Sequence, residues 1–546
     1  MASRSSTTAQ PLCAHPTIAV ETFLMFYIKD WKPHVLSPTE IQHFREHTHL
    51  GIRNIRDLEA TQFQMMPKRS LQLEQSLSMA RMDYRIRFGR IFRINDFPPE
   101  VLTNIFRYVI WSAVGPELGI RWRLWLTWVC GHWREITLND PLLWNDIWFE
   151  DLPNFERSLT WLERSANAPL DVRINDRKGG PISVPTLHNL LKRLFDKISN
   201  IRKIVIIFQE WDPILVVLDA FRVVQKRGCP MILEQFEMHR SGLGTGYKPS
   251  YKPIPLFGGA TVPSLKNLTL NRVNIDWTTS VLTNLTALHL RQLPLQKAST
   301  LVQFPALLGR SPALQILFLD GAGHGWSNII TRGLEPVHIP SLRMLSLKNF
   351  TVQHATDVCA QIFAPNVVYL TLTNLAGEDY WRLYDRLRSN MPKIKVLALH
   401  NFDFVPGPRL SMSIFNWLQS MPLLTFLRIG TVKSQFLELF LHNCQTMSSL
   451  AEPQEPSEHI PCPKLAFLDV VEIGAQNGID VIARWACIRR QLGYPLQNLY
   501  LSADIAKQLG QYQRRQLAAA LGSVDAICVV PVGNRPMEGV LREDIH

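Results

Sequence analysis

The sequence lacks closely paired cysteines. Its eight cysteines stand at 13, 130, 229, 359, 444, 462, 487 and 528, and no two form a C-x-x-C pair. That argues against a RING-type zinc site and a stapled secreted fold, and fits reduced thiols in the cytoplasm or nucleus. A long apolar run is also missing. Ile18–Ile28, interrupted by Glu21, and Ile214–Val224 fall short of the roughly 20 residues a membrane span needs. The opening MASRSSTTAQPLCAHP has no signal-peptide layout, and the closing LREDIH reads as no lipidation or retention signal. No membrane partner is expected, and the sequons at Asn267 and Asn284 read as accidental.

Catalytic signatures are equally scarce. There is no G-x-S-x-G. Gly242-x-Gly244-x-Gly246 and Gly321-x-Gly323-x-Gly325 are not followed by Lys-Ser/Thr or by a dinucleotide-type third glycine, so both read as loops. His43-Phe-Arg-Glu46-His47 matches the H-x-x-E-H of inverted zinc proteases, with both histidines on one helical face and Glu46 as base. No third ligand is identifiable, and a polar helix face is the simpler reading. The expectation is therefore no catalytic residue, no metal and no cofactor.

What is present is ordinary globular material. Hydrophobic residues make up 46% and charged residues 19%, which rules out a mostly disordered chain. At about 150 residues per domain, 546 residues imply three or four domains, or fewer if one is a repeat array. Lysine and arginine exceed the acids by 58 to 46, a net charge of +12 that favours acidic partners through long-range attraction. Charge alone does not distinguish among an acidic protein, nucleic acid and an anionic membrane, and no nucleic-acid partner is expected.

A repeat organises most of the chain. Pro263-Ser-Leu265-x-x-Leu268-x-Leu270, Pro312-Ala-Leu314-x-x-Leu317-x-Leu319 and Pro340-Ser-Leu342-x-x-Leu345-x-Leu347 spell it out. Val367/Leu370/Leu372, Ile394/Leu397/Leu399, Leu424/Leu427/Ile429 and Leu465/Leu468/Val470 continue it. Leu285/Leu288/Leu290 and Leu496/Leu499/Leu501 lack the proline, and Ile201/Ile204/Ile206 and Leu233/Phe236/Met238 match more loosely. The last two apolar residues of each copy are two apart and so face one side of a short strand. The residues between copies return the chain as loop or helix, for example Gln435–His442. This pattern resembles the leucine-rich repeat family, whose copies bury their leucines only against their neighbours and stack into a solenoid. Two departures stand out. Val273, Leu293, Phe350, Leu375 and Phe402 occupy places where family repeats often carry a buried asparagine, and the copies recur at uneven steps of 20 to 41 residues. Inserts at 242–263, 321–338 and 447–463 interrupt the period, and a helical stretch Gln511–Leu521 followed by Ala526–Val530 reads as a terminal cap.

Residues 93–149 have another character. Pro98 and Pro99 suit a first helical turn, Asp96 is a candidate cap, and Glu100 suits the positive helix end. Val101, Leu102, Ile105, Phe106 and Val109 share a helical face, and Leu126, Val129, Cys130, Trp133 and Ile136 recur at helical spacing in a second helix. Asp140-Pro141 starts a short turn that presents Leu143 and Trp144. Phe97-Pro98-Pro99-Glu100-Val101-Leu102, Ile105-Phe106, Val129-Cys130-Gly-His-Trp133 and Leu143-Trp144, in this order, resemble the F-box that docks on the Skp adaptor of Skp–cullin–F-box ubiquitin ligases. Phe97 replaces the usual leucine, and the stretch from Phe106 to Val129 is longer than in most members, so the second helix is expected to start late. Leu159–Val172 is similar to what trails the F-box in many fungal F-box/repeat proteins. Six tryptophans, at 122, 125, 128, 133, 144 and 148, exceed what a small helical module can bury alone.

The expected architecture is α/β: a short all-helical F-box followed by an irregular leucine-rich-repeat solenoid with a curved parallel sheet. Its divisions are a partly helical N-terminal extension with a loose tail (1–92), the F-box (93–149), a helical connection (150–200), the solenoid (201–535) and a C-terminal tail (536–546). The resemblance implies an intracellular substrate receptor that binds the Skp adaptor, and through it a cullin, and holds a target for ubiquitin transfer by proximity alone. It assigns adaptor docking to Phe97, Pro98, Glu100, Leu102, Ile105, Phe106, Val129, Cys130, Trp133 and Trp144. Target contacts fall on the strand positions flanking the leucines of the concave face: His289, Arg291, Phe318, Asp320, Lys348, Tyr369, His400 and Arg428. Their basic excess and aromatic content favour an acidic, aromatic epitope. The rival readings are a binding scaffold without a ligase and, in another class, the zinc protease at His43, Glu46 and His47.

Overall fold

From Asp146 onward a single device recurs: a turn, a short parallel strand, and a return path. The computed structural model describes residues 37–530 apart from 65–70, 92–93, 114, 152–153, 177–179, 228–231, 243–251, 294–298, 301, 322–334, 378–379, 403–407, 433–460 and 474–477. The tails 1–17 and 536–546, the stretch 435–442 and most of the three inserts lie outside the described residues. The fold divides into two compact units, one comprising residues up to Ala113 with Arg121–Thr137, the other Val114–Ile120 with Leu138 onward.

The first unit is helical. Helices α1 (Pro38–Gln64) and α2 (Leu71–Ile91) pack on each other, with Arg81 bridging to Glu59 at 2.7 Å. Ser37 caps α1: its Oγ accepts from the Glu40 amide at 3.3 Å, and the Glu40 carboxylate accepts from the Ser37 amide at 2.8 Å, a capping box. Helix α3 (Pro99–Trp111) has Pro98 at its cap position and Pro99 just inside. That corrects Asp96 as the cap, since Asp96 closes a 3-10 turn, Ile94–Asp96, before it. Helix α4 (Pro116–Val129) begins earlier than the family comparison implied, and it does not run on through Cys130. A new helix, α5 (Gly131–Asn139), starts there, with the Cys130 sulfur accepting the Trp133 amide at 3.5 Å. Glycine at 131, a weak helix former, falls where the helix breaks.

In the second unit the Pro-x-Leu of each repeat is a turn. The amides of Leu265, Leu314, Leu342, Val367, Leu424 and Leu465 donate to the carbonyls of Val262, Ser311, Ile339, Ala364, Met421 and Cys462, at 3.1 to 3.3 Å. The intervening proline stands second in each turn, where its fixed φ is already right. The strands follow at once: β1 (Asp146–Phe149), β2 (Leu170–Asn175), β3 (Ile201–Phe208), β4 (Gln235–Arg240), β5 (Asn267–Asn271), β6 (Ala287–Arg291), β7 (Ile316–Asp320), β8 (Val337–His338), β9 (Met344–Thr351), β10 (Ile362–Phe363), β11 (Tyr369–Ala376), β12 (Val396–Phe402), β13 (Phe426–Val432), β14 (Phe467–Ile473), β15 (Asn498–Ser502) and β16 (Ile527–Val530). All but β8 and β10, which form their own pair, join one parallel sheet in sequence order. Every L-x-x-L-x-L copy is one strand of it, and its leucines are buried in register.

The sheet starts 55 residues before Ile201, the expected beginning of the solenoid, so 150–200 is not merely a helical connection. Leu170-x-Val172-x-Ile174 alternates with period two and pairs with β3 without the preceding leucine that marks a repeat. The short return of 20 residues between the copies at Leu265 and Leu285 holds no α-helix, whereas longer ones carry helices such as Val352–Ala360 and Tyr380–Asn390.

The missing asparagine has a substitute one residue upstream. Val273, Leu293, Phe350 and Leu375 are buried apolar residues. Just before them, Arg272, Gln292, Asn349 and Asn374 adopt left-handed backbone, as do Gly321, Asn401 and Thr431 at the same place in their repeats. Asparagine tolerates this conformation better than most residues. The Asn401 amide donates to Asn374 at 2.8 Å, Asn374 to Asn349 at 2.6 Å, and Asn349 to the Asp320 carboxylate, so the repeats are tied along their strand ends. Asn374→Ala should therefore cost about 1–2 kcal/mol, from two lost hydrogen bonds and a strained φ. Asn374→Gly, free of the strain, should cost less. Urea melts of the two variants read the order directly.

Candidate functional site

Two surfaces carry the candidate residues, one in each unit. In the first unit the buried stripe of α3 is Leu102, Phe106 and Ile110. Leu102 and Phe106 thus hold the helices rather than present a contact. Trp133 is half-buried, its ring 4.7 Å from Phe106 and its indole N–H donating to Asn95 Oδ1 at 2.6 Å. Cys130 caps α5. Ile105 is half-buried, while Phe97, Pro98, Glu100 and Val129 are exposed. Val101 and Val109, expected on the inner face of α3, are exposed as well.

Trp144 is corrected as a docking residue. It belongs to the second unit and is fully buried, its ring 5.4 Å from Trp161 with the Arg164 guanidinium 4.8 Å above it. Its place follows from the turn that Asp140 caps, accepting the Leu142 amide at 3.2 Å, which feeds directly into β1.

The motif residues omit several large exposed aromatic groups of this unit. Tyr108 (76% exposed), Trp111 (61%), Trp125 (52%) and Trp128 (68%) lie on α3 and α4 with Phe97, Val101 and Val129. Apolar side chains this large, held in water on two consecutive helices, are what an interaction surface presents. The density of tryptophan in the sequence was the signal.

In the second unit, the residues that alternate with the leucines form the other face of the sheet. At β6, β7 and β9 they make one cluster. His289 stacks on Phe318 with ring centroids 5.5 Å apart and planes 13° from parallel. The Arg291 guanidinium lies 4.6 Å and the Lys348 ammonium 4.9 Å from the centre of that same ring. Asp320 stands between the two cations in register, yet its carboxylate accepts from Asn349, and neither cation is ion-paired among the described residues. Arg291 Nε is buried with no acceptor among them. Burial pushes the His289 and Lys348 pKa values down, and the Arg291 charge pushes both further; Glu237 opposes this at His289 and Asp320 at Lys348. On β4, the hydrogen bond with His239, 3.1 Å long, holds the Glu237 carboxyl below its usual range.

The remaining target residues lie apart from this cluster. Tyr369 is 2% exposed, packed with Val396, Phe426, Met344 and Phe467. It is corrected from an exposed contact to core, because bulky residues at matching register on adjacent rungs cover one another. Arg428 is also corrected: its Nε donates to Asp469 at 2.7 Å, with the two side chains 14% and 1% exposed. His400 lies half-buried across Gly430, where any Cβ would collide with its ring.

His43 and His47 share a face of α1, their rings 4.3 Å apart, and no group of three metal-ligating side chains exists among the described residues. No described helix is long and apolar enough to cross a membrane. The sequence matches no protein-family model and no curated protein. Among solved structures, the chain is similar to the leucine-rich repeat-containing protein LegL7 from Legionella pneumophila, at 15% identity and a TM-score of 0.30, over 60% of this chain and 93% of that one. The sheet itself, one parallel strand per L-x-x-L-x-L copy with leucines in register, is a leucine-rich-repeat-like scaffold.

Proposed function

We propose that the chain is the substrate receptor of a Skp–cullin–F-box ubiquitin ligase, with the F-box-like helices docking the adaptor and the repeats holding the target. The chain supplies no catalytic residue; tethering raises the effective concentration of target lysines near the transfer enzyme. The observation that carries this reading is the exposure of Tyr108, Trp111, Trp125 and Trp128 on α3 and α4, together with that of the motif residues Phe97, Pro98 and Val129. Adaptor docking through those helices gives these side chains an apolar partner.

Trp125→Ala with Trp128→Ala should weaken adaptor binding by about 2–4 kcal/mol, roughly 30- to 1,000-fold in Kd. Both side chains are more than half exposed, so the melting temperature should stay near wild type. Co-purification with adaptor and cullin is the test. Adaptor without cullin would favour the scaffold without a ligase, and no adaptor capture by the folded wild-type protein would overturn the assignment.

A further inference from the structure

The cluster around Phe318 has a chemistry of its own. Two cations rest on one aromatic ring, and neither makes an ion pair among the described residues, although Asp320 lies between them in register and partly offsets Lys348. Like charges brought together on a half-buried surface repel, and burial strips them of part of their hydration. An incoming anion relieves both costs at once. One same-face step from Phe318 toward the strand starts, and two from Arg291 and Lys348, Ile316 and Met344 are half-exposed on the same face. Toward β4 the same face carries Glu237, in the row of His289.

We infer that Arg291, Lys348 and Phe318 form a docking site for an acidic segment of a protein target, seating an Asp or Glu carboxylate between the two cations and a neighbouring apolar side chain over Ile316 and Met344. A free inorganic anion would use the cations and leave the apolar step in water, whereas a peptide covers both. His289 stacks behind the ring and fixes its plane, so it is a positioning residue. Asp320, between the cations in register, accepts from the Asn349 amide and makes no ion pair with either among the described residues. This inference names the target class for the receptor proposed above and rests on that reading for its biological sense, but the binding itself does not require an adaptor.

The experiment selects random twelve-residue peptides displayed on phage against the full-length protein, then measures the enriched peptides by fluorescence anisotropy. The expected result is enrichment of Asp or Glu beside an apolar residue. Arg291→Gln with Lys348→Gln should weaken these peptides at least tenfold, and raised salt should weaken the wild type in the same direction. Arg291→Lys with Lys348→Arg, which keeps both charges, should retain most of the binding and shows that the site, not the fold, was removed. Adaptor capture is measured on the same proteins and should not change. Enriched peptides without acidic residues, acidic peptides held equally by the Gln variant, or no enrichment at all would each overturn the inference. Peptide binding without adaptor capture would instead leave this site standing and remove the ligase reading.

Discussion

Arg428→Glu should destabilise the repeat unit by about 3–5 kcal/mol, whereas Arg291→Glu should leave it nearly as stable as wild type. Both arginines occupy leucine-flanking positions, and sequence spacing treats them alike. Their surroundings differ. Arg428 on β13 lies in register with Asp469 on β14 and donates to it at 2.7 Å, and Asp469 is almost wholly buried. Removing the cation takes the ion-pair partner from a carboxylate already out of water, and reversing it places a second carboxylate alongside. Arg291 makes no ion pair among the described residues and rests its guanidinium on Phe318, so losing it strands no buried charge. Guanidinium chloride melts compare the two. The swap Arg428→Asp with Asp469→Arg should recover part of the loss, because attraction returns although the geometry does not. A melt of Arg428→Glu within 1 kcal/mol of wild type would mean that solvent reaches Asp469 and that the pair is worth no more than a surface bridge.

The same contrast shows which parts of the molecule were legible in the amino-acid sequence. Period-two leucines after a proline turn specify strand, buried face and register together, so all eleven copies between Ile201 and Leu501 could be placed. Strands β1 and β2 escaped because Ile147/Phe149 and Leu170/Val172/Ile174 alternate without the leading leucine. The asparagine ladder escaped for a subtler reason. The role of Asn349, Asn374 and Asn401 depends on a left-handed turn that L-x-L-x-N-Φ does not announce, and the pattern points instead to the apolar residue that follows. On the second face of the sheet, spacing gave orientation but not exposure. Tyr369 and Arg428 point the expected way and are nonetheless covered by their neighbours on adjacent rungs, since large side chains one strand apart fill the space between them. Pairing across strands 20 to 41 residues apart is a property of the stack, not of any one repeat.

The stack also sets the size of the other large effect. Leu345→Ala and Leu370→Ala should each cost about 2–5 kcal/mol, because the lost transfer energy is joined by a cavity that the rungs on either side cannot close. The two leucines face each other across β9 and β11 in register, each essentially inaccessible to water, and belong to the leucine row that runs from Leu268 through Leu499. Neighbouring rungs constrain both main chains through the ladder, so relaxation into the void is limited and the upper part of the range is expected. Combining the substitutions should cost less than the sum of the two, since one enlarged cavity replaces two separate ones and the residues touch. Ser346, between them in sequence on the opposite face, provides the control. It is buried rather than exposed, and its hydroxyl has no partner among the described residues, so Ser346→Ala removes an unsatisfied polar group and should be neutral or slightly stabilising, within about 0.5 kcal/mol. Urea melts at constant m give all four values. A Ser346→Ala loss as large as that of Leu345→Ala would place the apolar core on the other side of β9 and overturn the register of the whole sheet.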